Sequence, residues 1–597
     1  MFRYLTRAAR HAVGLHCPGF RLPVREDDIL LASYPKSGDK RTRFLIASIV
    51  LPEEEIEYDN LHRFVLDGEV AFKRDFDRAP RPRIIHSHAS FDPRYRRIIQ
   101  VVRDPRDVAL AQYYDLLQLH RIAAGSSIDE FMERFLCGDL NRFPGSWGEN
   151  VGSWLAARAH HPGFLLLRYE DMLSDPAGEI ARVSALAGQK TTGERILLVL
   201  ERSSADNTRE RAHRRRSWLT EGSRPEVGCG TAVPSGEWRT ALPESCVARI
   251  EANWGNLMAC LGYELVTGQP GHASGLGFIG RLTAAPQGPR KQEVTKAAVP
   301  DSPAPILRSN PSSGRGRVIK RAKRILGHTS PGRYLDVFDD DVFLVSFPKS
   351  GNTWTRFLIA NLLHPEESAN FSNIDRLIPE SEELTRNELK RVPRPRIMKS
   401  HEYFDPRFRK VVYIVRDPRD VAVSQFHFYR KRRRIDDHYP IEQFVKLFVA
   451  GYTSDYGSWA DNVATWLVAR QNSSDFLLVK YEDLLAQTVS QLTHIASFLA
   501  VPTTPALVAQ AVERSSADQM RKLESHKATA SVTKNTRADI PFVRAASSGG
   551  WKKSLPESAV AELEAAWAPV MRWLGYEPLV VKLTTPELGR ESIAHQS

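Results

Sequence analysis

The chain has 597 residues, far more than one typical domain, so two domains joined by a connecting segment are predicted. Its formal net charge of +12 favours phosphorylated ligands, polyanions or anionic lipid surfaces as partners, without choosing among them. The five cysteines are odd in number and show no Cys-x-x-Cys spacing, which argues against a disulfide framework or a zinc site. We expect no metal and no nucleic-acid partner.

The N-terminal segment carries charges where a secretory signal needs its apolar core. Arginines interrupt the run from Met1 to Arg10, and nowhere do about 18 apolar residues follow one another. The absence of a disulfide pattern also fits a reducing compartment. We therefore expect a soluble, cytoplasmic protein, and the sequence leaves its oligomeric state open.

The sequence repeats itself at an offset of 312 or 313 residues. Tyr34-Pro-Lys-Ser-Gly38, for example, returns as Phe347-Pro-Lys-Ser-Gly351. With so little net insertion over a domain-sized period, both copies should share one fold.

We assign residues 1–265 to copy one, 266–316 to a linker and 317–597 to copy two. The linker is rich in Gly, Pro, Ala and Ser, a composition typical of a flexible segment. Each copy is preceded by a short basic amphipathic stretch, Tyr4 to Val13 and Val318 to Leu326. These stretches are predicted to be either a first helix docked on its domain or a contact to an anionic membrane surface.

Within copy two, strand-like apolar runs alternate with helical patterns. This alternation predicts an α/β fold with a central parallel sheet and helices on both faces. Ligands in such folds bind at the carboxyl ends of the strands. The predicted strands are 341–347, 396–400, 411–416 and 476–480, and the predicted helices are 354–363, 417–431, 459–470 and 489–499.

The stretch from Phe343 to Ala360 predicts a strand, a tight turn and a helix, so the free N–H groups of the first helical turn point into the turn. Lys349 adds a mobile positive charge there. Ser350 and Thr353 add hydroxyl donors, and Gly351 permits close backbone approach. A Walker A loop has a glycine, four residues and then Gly-Lys-Ser/Thr, whereas here the lysine precedes Ser-Gly and no earlier glycine is present. We interpret the turn as a phosphate cradle.

A second anion-binding pattern follows a later strand. Arg416 ends that strand and Ser424 lies two turns along the helix that begins near Pro418, so the pair could grip a phosphate. His401 ends the strand before it and titrates near neutrality, which suits a general base. Glu402 is the next candidate should His401 face away.

Together, Pro348-Lys-Ser-Gly-Asn-Thr-Trp354 and Arg416-Asp-Pro-Arg-Asp-Val-Ala-Val-Ser424 resemble the motifs of sulfotransferases. The resemblance covers nearly all of both copies. It implies a P-loop-like three-layer α/β/α fold in two tandem copies, with 3′-phosphoadenosine-5′-phosphosulfate (PAPS) as sulfuryl donor. It also implies a hydroxyl or amine acceptor, deprotonated by His401, while Lys349 neutralises the leaving phosphate oxygen.

The resemblance further implies which residues bind PAPS in copy two. The cradle would hold the 5′-phosphosulfate, and Arg416 with Ser424 the 3′-phosphate. Trp354 and Tyr481 would contact the adenine. The implied catalytic residues are His401, Lys349 and Lys399, and the implied PAPS-binding residues are Lys349, Ser350, Gly351, Asn352, Thr353, Trp354, Arg416, Ser424, Tyr481, Ser516, Met520, Arg544 and Gly549.

Copy one keeps Lys36, His88 and Arg103 but departs elsewhere. Losing one charge-assisted contact costs about 1.5–3 kcal/mol, so copy one is expected to bind PAPS weakly or not at all. The positions of Thr353, Trp354, Ser424, Arg544 and Lys399 hold Lys40, Arg41, Ala111, Thr231 and His86.

Two alternative functions stay open. A P-loop nucleotide kinase or ATPase would need a Mg²⁺-binding carboxylate at a strand end, for which Asp417 is the candidate. A non-catalytic nucleotide-binding scaffold fits copy one better than copy two. The acceptor is also open, because the basic run Arg430 to Arg434 is either a solvated surface or a docking site for an acidic glycan or an anionic lipid.

Overall fold

The computed structural model of the protein describes most of both copies. The basic stretches 4–13 and 318–326, the linker beyond residue 268 and Thr231 lie outside the described residues. The described residues are 24–68, 71, 73–123, 125–140, 144–203, 234–268, 335–381, 386–526, 536–537, 539–544 and 546–580.

Each copy is built on a sheet of parallel strands, as predicted. The spatial order is β2-β3-β1-β4-β5 in copy one and β7-β6-β8-β9 in copy two, so the first strand of each copy is central. The strands are β1 (Ile29–Ser33), β2 (Val65–Asp67), β3 (Ile84–Ser87), β4 (Arg97–Val102), β5 (Phe164–Arg168), β6 (Val342–Ser346), β7 (Ile397–Ser400), β8 (Lys410–Val415) and β9 (Phe476–Lys480).

The helices alternate with these strands. In copy one they are α1 (Asp39–Val50), α2 (Lys73–Arg78), α3 (Pro105–Gln118), α4 (Ile128–Cys137), α5 (Trp147–Arg158), α6 (Tyr169–Ser174), α7 (Pro176–Ala187), α8 (Gly193–Arg202), α9 (Trp238–Ala241) and α10 (Glu244–Cys260). In copy two they are α11 (Asn352–Leu363), α12 (Ile374–Leu377), α13 (Arg386–Arg391), α14 (Pro418–Lys431), α15 (Ile441–Val449), α16 (Trp459–Arg470), α17 (Tyr481–Ala486), α18 (Thr488–Phe498), α19 (Pro505–Arg514), α20 (Ala517–His526), α21 (Trp551–Ser554) and α22 (Glu557–Trp573).

Both faces of the copy-two sheet are covered, which gives three layers. Side chains alternate along β6, so Phe343 and Val345 pack with α14, α15, α16 and α22 on one face. Leu344 packs with α11, α18 and α19 on the other. The predicted α/β/α architecture is therefore confirmed, and the predicted strands and helices agree with the observed bounds to within two residues. None of the described helices is long and apolar enough to cross a membrane.

The strand ends place the predicted site residues at one edge of the sheet. His401 follows β7, Arg416 follows β8 and Tyr481 follows β9. The loop containing Lys349 joins β6 to α11. Because all four strands are parallel, their carboxyl ends meet at the same edge.

The opposite edge of the sheet is held by a buried ion pair. Arg396, at the start of β7, donates from Nε and one terminal nitrogen to the two carboxylate oxygens of Asp341, and both side chains are at most 2% exposed. Copy one repeats the pair with Arg83 and Asp28, 2.5 Å apart.

We predict that Arg396→Ala lowers the free energy of unfolding by about 3–5 kcal/mol, because it leaves the Asp341 carboxylate buried and unpaired. Equilibrium urea unfolding measures the change. Arg394→Ala is the matched control, since Arg394 pairs with the exposed Asp340 and its loss should cost less than about 1 kcal/mol. Equal losses in the two variants would show that the buried pair does not hold the sheet.

Candidate active site

The loop between β6 and α11 has the geometry of an anion cradle. Lys349 adopts a left-handed backbone conformation with φ of 72°, which is strained for a residue with a side chain. Gly351 follows at φ 101° as the N-cap, and no side chain among the described residues caps this end of α11. A Cβ at Gly351 would lie 2.4 Å from the ring of Tyr481, so only glycine fits.

Lys349 is half-buried, and other basic side chains surround its amine. Its Nζ lies 4.4 Å from the ring centres of Phe428 and Phe542, between two aromatic faces. Burial, together with repulsion chiefly from Arg416 and Arg544, lowers the pKa of Lys349 to about 7. A bound anion would relieve this repulsion and restore the charge of the amine.

Three buried polar atoms at or beside the loop have no hydrogen-bond partner among the described residues: Ser350 Oγ, Asn352 Oδ1 and Arg416 Nε. The remainder of the Arg416 guanidinium lies 4.3 Å over the ring of Tyr481, and one terminal nitrogen donates to the Ser547 carbonyl at 2.9 Å. An unsatisfied buried polar group costs about 1–3 kcal/mol, so Arg416, which lines the cavity, fits a ligand that carries acceptor oxygens.

The loop opens into a cavity of about 530 Å³. Most of the predicted residues line it: Lys349, Gly351, Asn352, Thr353, Trp354, Lys399, His401, Arg416, Ser424, Tyr481, Met520 and Arg544. The rings of Trp354 and Tyr481 stand edge to face, with centroids 5.9 Å apart.

Three predicted residues do not line the cavity. Ser350 is fully buried behind the loop. Ser516 sits at the start of α20, where its Oγ accepts from the Gln519 N–H at 3.5 Å. Gly549 donates its N–H to Asp420 at 2.7 Å, while its neighbour Gly550 reaches the cavity.

His401 lines the cavity, whereas the alternative base Glu402 does not. Its Nδ1 is 2.7 Å from the Ser346 carbonyl oxygen, which only accepts, so Nδ1 carries the proton and Nε2 is the basic nitrogen. Burial and the nearby Lys399 lower the pKa of His401 to about 3, so the prediction that it titrates near neutrality is wrong and its imidazole is neutral at physiological pH. Lys399 itself pairs with Glu380 at 2.8 Å.

The model of the sulfotransferase domain family matches residues 26–260 and 339–575, which together make up most of the chain. The chain belongs to the sulfotransferase family. Sulfotransferase 2B1 of Mus musculus is 30% identical over 254 residues, or 38% of this chain and 70% of that protein. The 3-beta-hydroxysteroid sulfotransferase of Cavia porcellus is 29% identical over 254 residues, or 40% of this chain and 86% of that protein.

Among solved structures, mouse sulfotransferase SULT7A1 complexed with PAP is 26% identical, with 40% of this chain and 86% of that chain covered and a TM-score of 0.33. The family assignment rests on the two matched segments rather than on this score. The prediction of two sulfotransferase domains in tandem is thus confirmed, and the nucleotide-kinase alternative is not favoured. Asp417, its candidate magnesium ligand, is occupied by Arg419, which donates to both carboxylate oxygens.

The sulfotransferase site contains residues that sequence reasoning missed. Phe428, Phe542 and Glu380 enclose Lys349 and Lys399, although none was predicted as a site residue. The internal repeat offered one signal, because copy one has Asp67 opposite His86 where copy two has Glu380 opposite Lys399. The signal for Phe542 was its place two residues before the predicted Arg544.

Copy one of the sulfotransferase retains the scaffold of the site but not its charge. His88 Nδ1 lies 2.7 Å from the Ser33 carbonyl oxygen, as in copy two, and Arg103 lies 4.9 Å over the ring of Tyr169. Lys36, however, forms a 2.6 Å ion pair with Asp115, which occupies the position of Phe428. A carboxylate therefore stands beside the lysine that would hold an anion.

The basic run Arg430 to Arg434 is not a uniformly solvated surface. Lys431 is buried and donates to the carbonyls of Arg537 and Ile540 at 3.0 and 2.6 Å. Arg432 lines the cavity beside Phe428. Part of the run thus belongs to the wall of the active site.

Proposed function

We propose that copy two transfers the sulfuryl group of PAPS to a hydroxyl or amine group of an acceptor. The observation that carries the proposal is the half-buried Lys349, whose pKa is lowered by burial and by neighbouring cations, next to the unsatisfied Nε of Arg416. The 5′-phosphosulfate would lie in this loop, and the 3′-phosphate at Arg416, Ser424 and Arg544.

The proposed reaction proceeds in line. His401 Nε2 accepts the proton of the acceptor group as the acceptor oxygen or nitrogen bonds to sulfur. The bond between sulfur and the 5′-phosphate oxygen breaks, and Lys349 neutralises the negative charge that develops there. Lys399, held by Glu380 beside His401, would stabilise the transferring group.

For the acceptor, a small molecule with a hydroxyl or amine group is the supported class. The cavity is lined by the aromatic Phe428 and Phe542 as well as by charged groups. The relatives include a 3-beta-hydroxysteroid sulfotransferase and an amine sulfotransferase, so steroids and amines join glycans and lipids as candidates. Arg432 at the wall would favour an acceptor that carries negative charge.

Lys349→Met should reduce transfer from radiolabelled PAPS to less than about a tenth of the wild-type rate, assayed with phenol, steroid, amine, carbohydrate and lipid acceptors. A tenth corresponds to about 1.4 kcal/mol, and Lys349 both binds the donor and stabilises the leaving group. Lys36→Met is the matched control and should retain the wild-type rate. A chain that labels no acceptor and binds no nucleotide would refute the proposed function.

The two copies should differ in nucleotide binding. We predict that calorimetric titration with 3′-phosphoadenosine-5′-phosphate (PAP) gives one equivalent per chain, because Asp115 neutralises Lys36 in copy one. Arg416→Ala should remove the tight site, whereas Arg103→Ala should leave it unchanged. Two equivalent tight sites would mean that copy one is a working nucleotide site.

PAP binding at pH 8 should take up about one proton. The pKa of Lys349 is about 7 in the free protein, so its amine is mostly neutral at pH 8, and the phosphates of PAP restore its charge. Affinity should therefore fall as the pH rises above about 7. Calorimetry in buffers of different ionisation enthalpy counts the protons. Uptake that persists in Lys349→Met would assign the proton to another group.

A further inference from the structure

The two copies pack against each other through α5 and α16, which occupy corresponding positions in the repeat. Two ion pairs join these helices, and a third, between Arg409 and Asp139, joins the copies nearby. Arg158 of copy one lies 2.6 Å from Asp461 of copy two, and Arg470 of copy two lies 2.8 Å from Glu149 of copy one. The two pairs between the helices are equivalent under the repeat, so the two helices meet in a nearly symmetric way.

Each carboxylate at this contact also caps its own helix. Asp461 Oδ2 accepts the Ser458 N–H at 3.1 Å, while Oδ1 accepts from Arg158. The carboxylate that caps the start of α16 is therefore also bound by a side chain of copy one. Both side chains of this pair are largely buried, at 6% and 13% exposure, which strengthens the interaction over that of a surface pair.

Helix α16 in turn holds the backbone of the proposed catalytic segment. Asn462, next to Asp461, donates to the His401 carbonyl at 3.1 Å, and Trp466 donates to the Glu402 carbonyl at 3.0 Å. The ring of Tyr403 then packs edge to face against Phe91 of copy one, at 5.7 Å between centroids.

We propose that copy one is a positioning domain for copy two. Its Arg158 fixes the start of α16 and thereby the His401 segment of copy two. This inference rests on the proposed function of copy two. It assigns Arg158 as a positioning residue, because it acts through Asp461 and Asn462 and does not reach the cavity. Copy one thus has a role in the reaction without binding nucleotide.

Loss of Arg158 should lower turnover without weakening nucleotide binding. The loop that contains Lys349 and the Arg416 strand end lie on other elements, so Arg158→Met should leave the dissociation constant of PAP unchanged. Displacement of His401 should lower kcat by roughly five-fold to a hundred-fold, since small errors in alignment carry large penalties. Arg158→Lys, which keeps the charge, should recover part of the loss.

Glu149→Gln in the full chain is the matched control. It weakens the equivalent pair from the side of copy one, so that Arg470 keeps its hydrogen bond to the Pro406 carbonyl and its place over the ring of Phe404. Glu149 precedes Asn150, which donates to the His88 carbonyl of copy one at 2.9 Å. Both variants should lose thermal stability, while only Arg158→Met lowers kcat strongly.

Hydrogen–deuterium exchange provides a readout that does not need an acceptor. Arg158→Met should speed exchange in the peptide covering residues 399–406, which Glu149→Gln should leave at the wild-type rate. Equal effects of the two variants on kcat and on the 399–406 peptide, or no effect of either, would overturn the inference. Failure of the wild-type chain to transfer sulfuryl from PAPS would refute the proposed function instead, while the exchange pattern would still decide whether copy one positions the segment.

Discussion

A half-buried lysine amine among other basic groups is the constraint around which copy two is organised. In the described part of the chain, the charge of Lys349 is stabilised by two aromatic faces, Phe428 and Phe542, rather than by a carboxylate. The neighbouring Arg416 and Arg544 make that charge more costly. The free site is therefore less stable than it would be with a counter-ion in place, and this free energy becomes available to a ligand that carries several negative charges.

Copy one shows the same fold with this constraint removed. Asp115 satisfies Lys36 internally, so no comparable gain is left for an anionic ligand. The hydrogen bond from His88 to the Ser33 carbonyl persists nonetheless. Retention of the scaffold without its unpaired charge is what one expects of a domain kept for its packing surface rather than for its chemistry.

The sequence predicted the sheet well because its strands are apolar runs that end at polar or glycine-containing turns. The run 341–347, for example, is observed as Val342–Ser346. It also placed His401 and Arg416 correctly, since both directly follow a strand. It could not predict Asp115 at the lysine of copy one, or Phe542 at that of copy two. Those contacts depend on how a helix face or a distant loop packs, which local periodicity does not encode.

The sequence also did not predict the contact between the copies. Helices α5 and α16 are buried along nearly their whole length, so their sequences look like those of ordinary core helices. The roles assigned to the individual site residues remain predictions, although the structure gathers most of them around one cavity.

The crossed ion pairs between the copies carry a consequence for symmetry. An arrangement in which Arg158 meets Asp461 while Arg470 meets Glu149 is the form that two identical chains adopt about a twofold axis. Each copy carries both an acidic and a basic partner on one helix, so the paired surface is self-complementary. Because both copies lie in one chain, this pairing does not depend on the protein concentration.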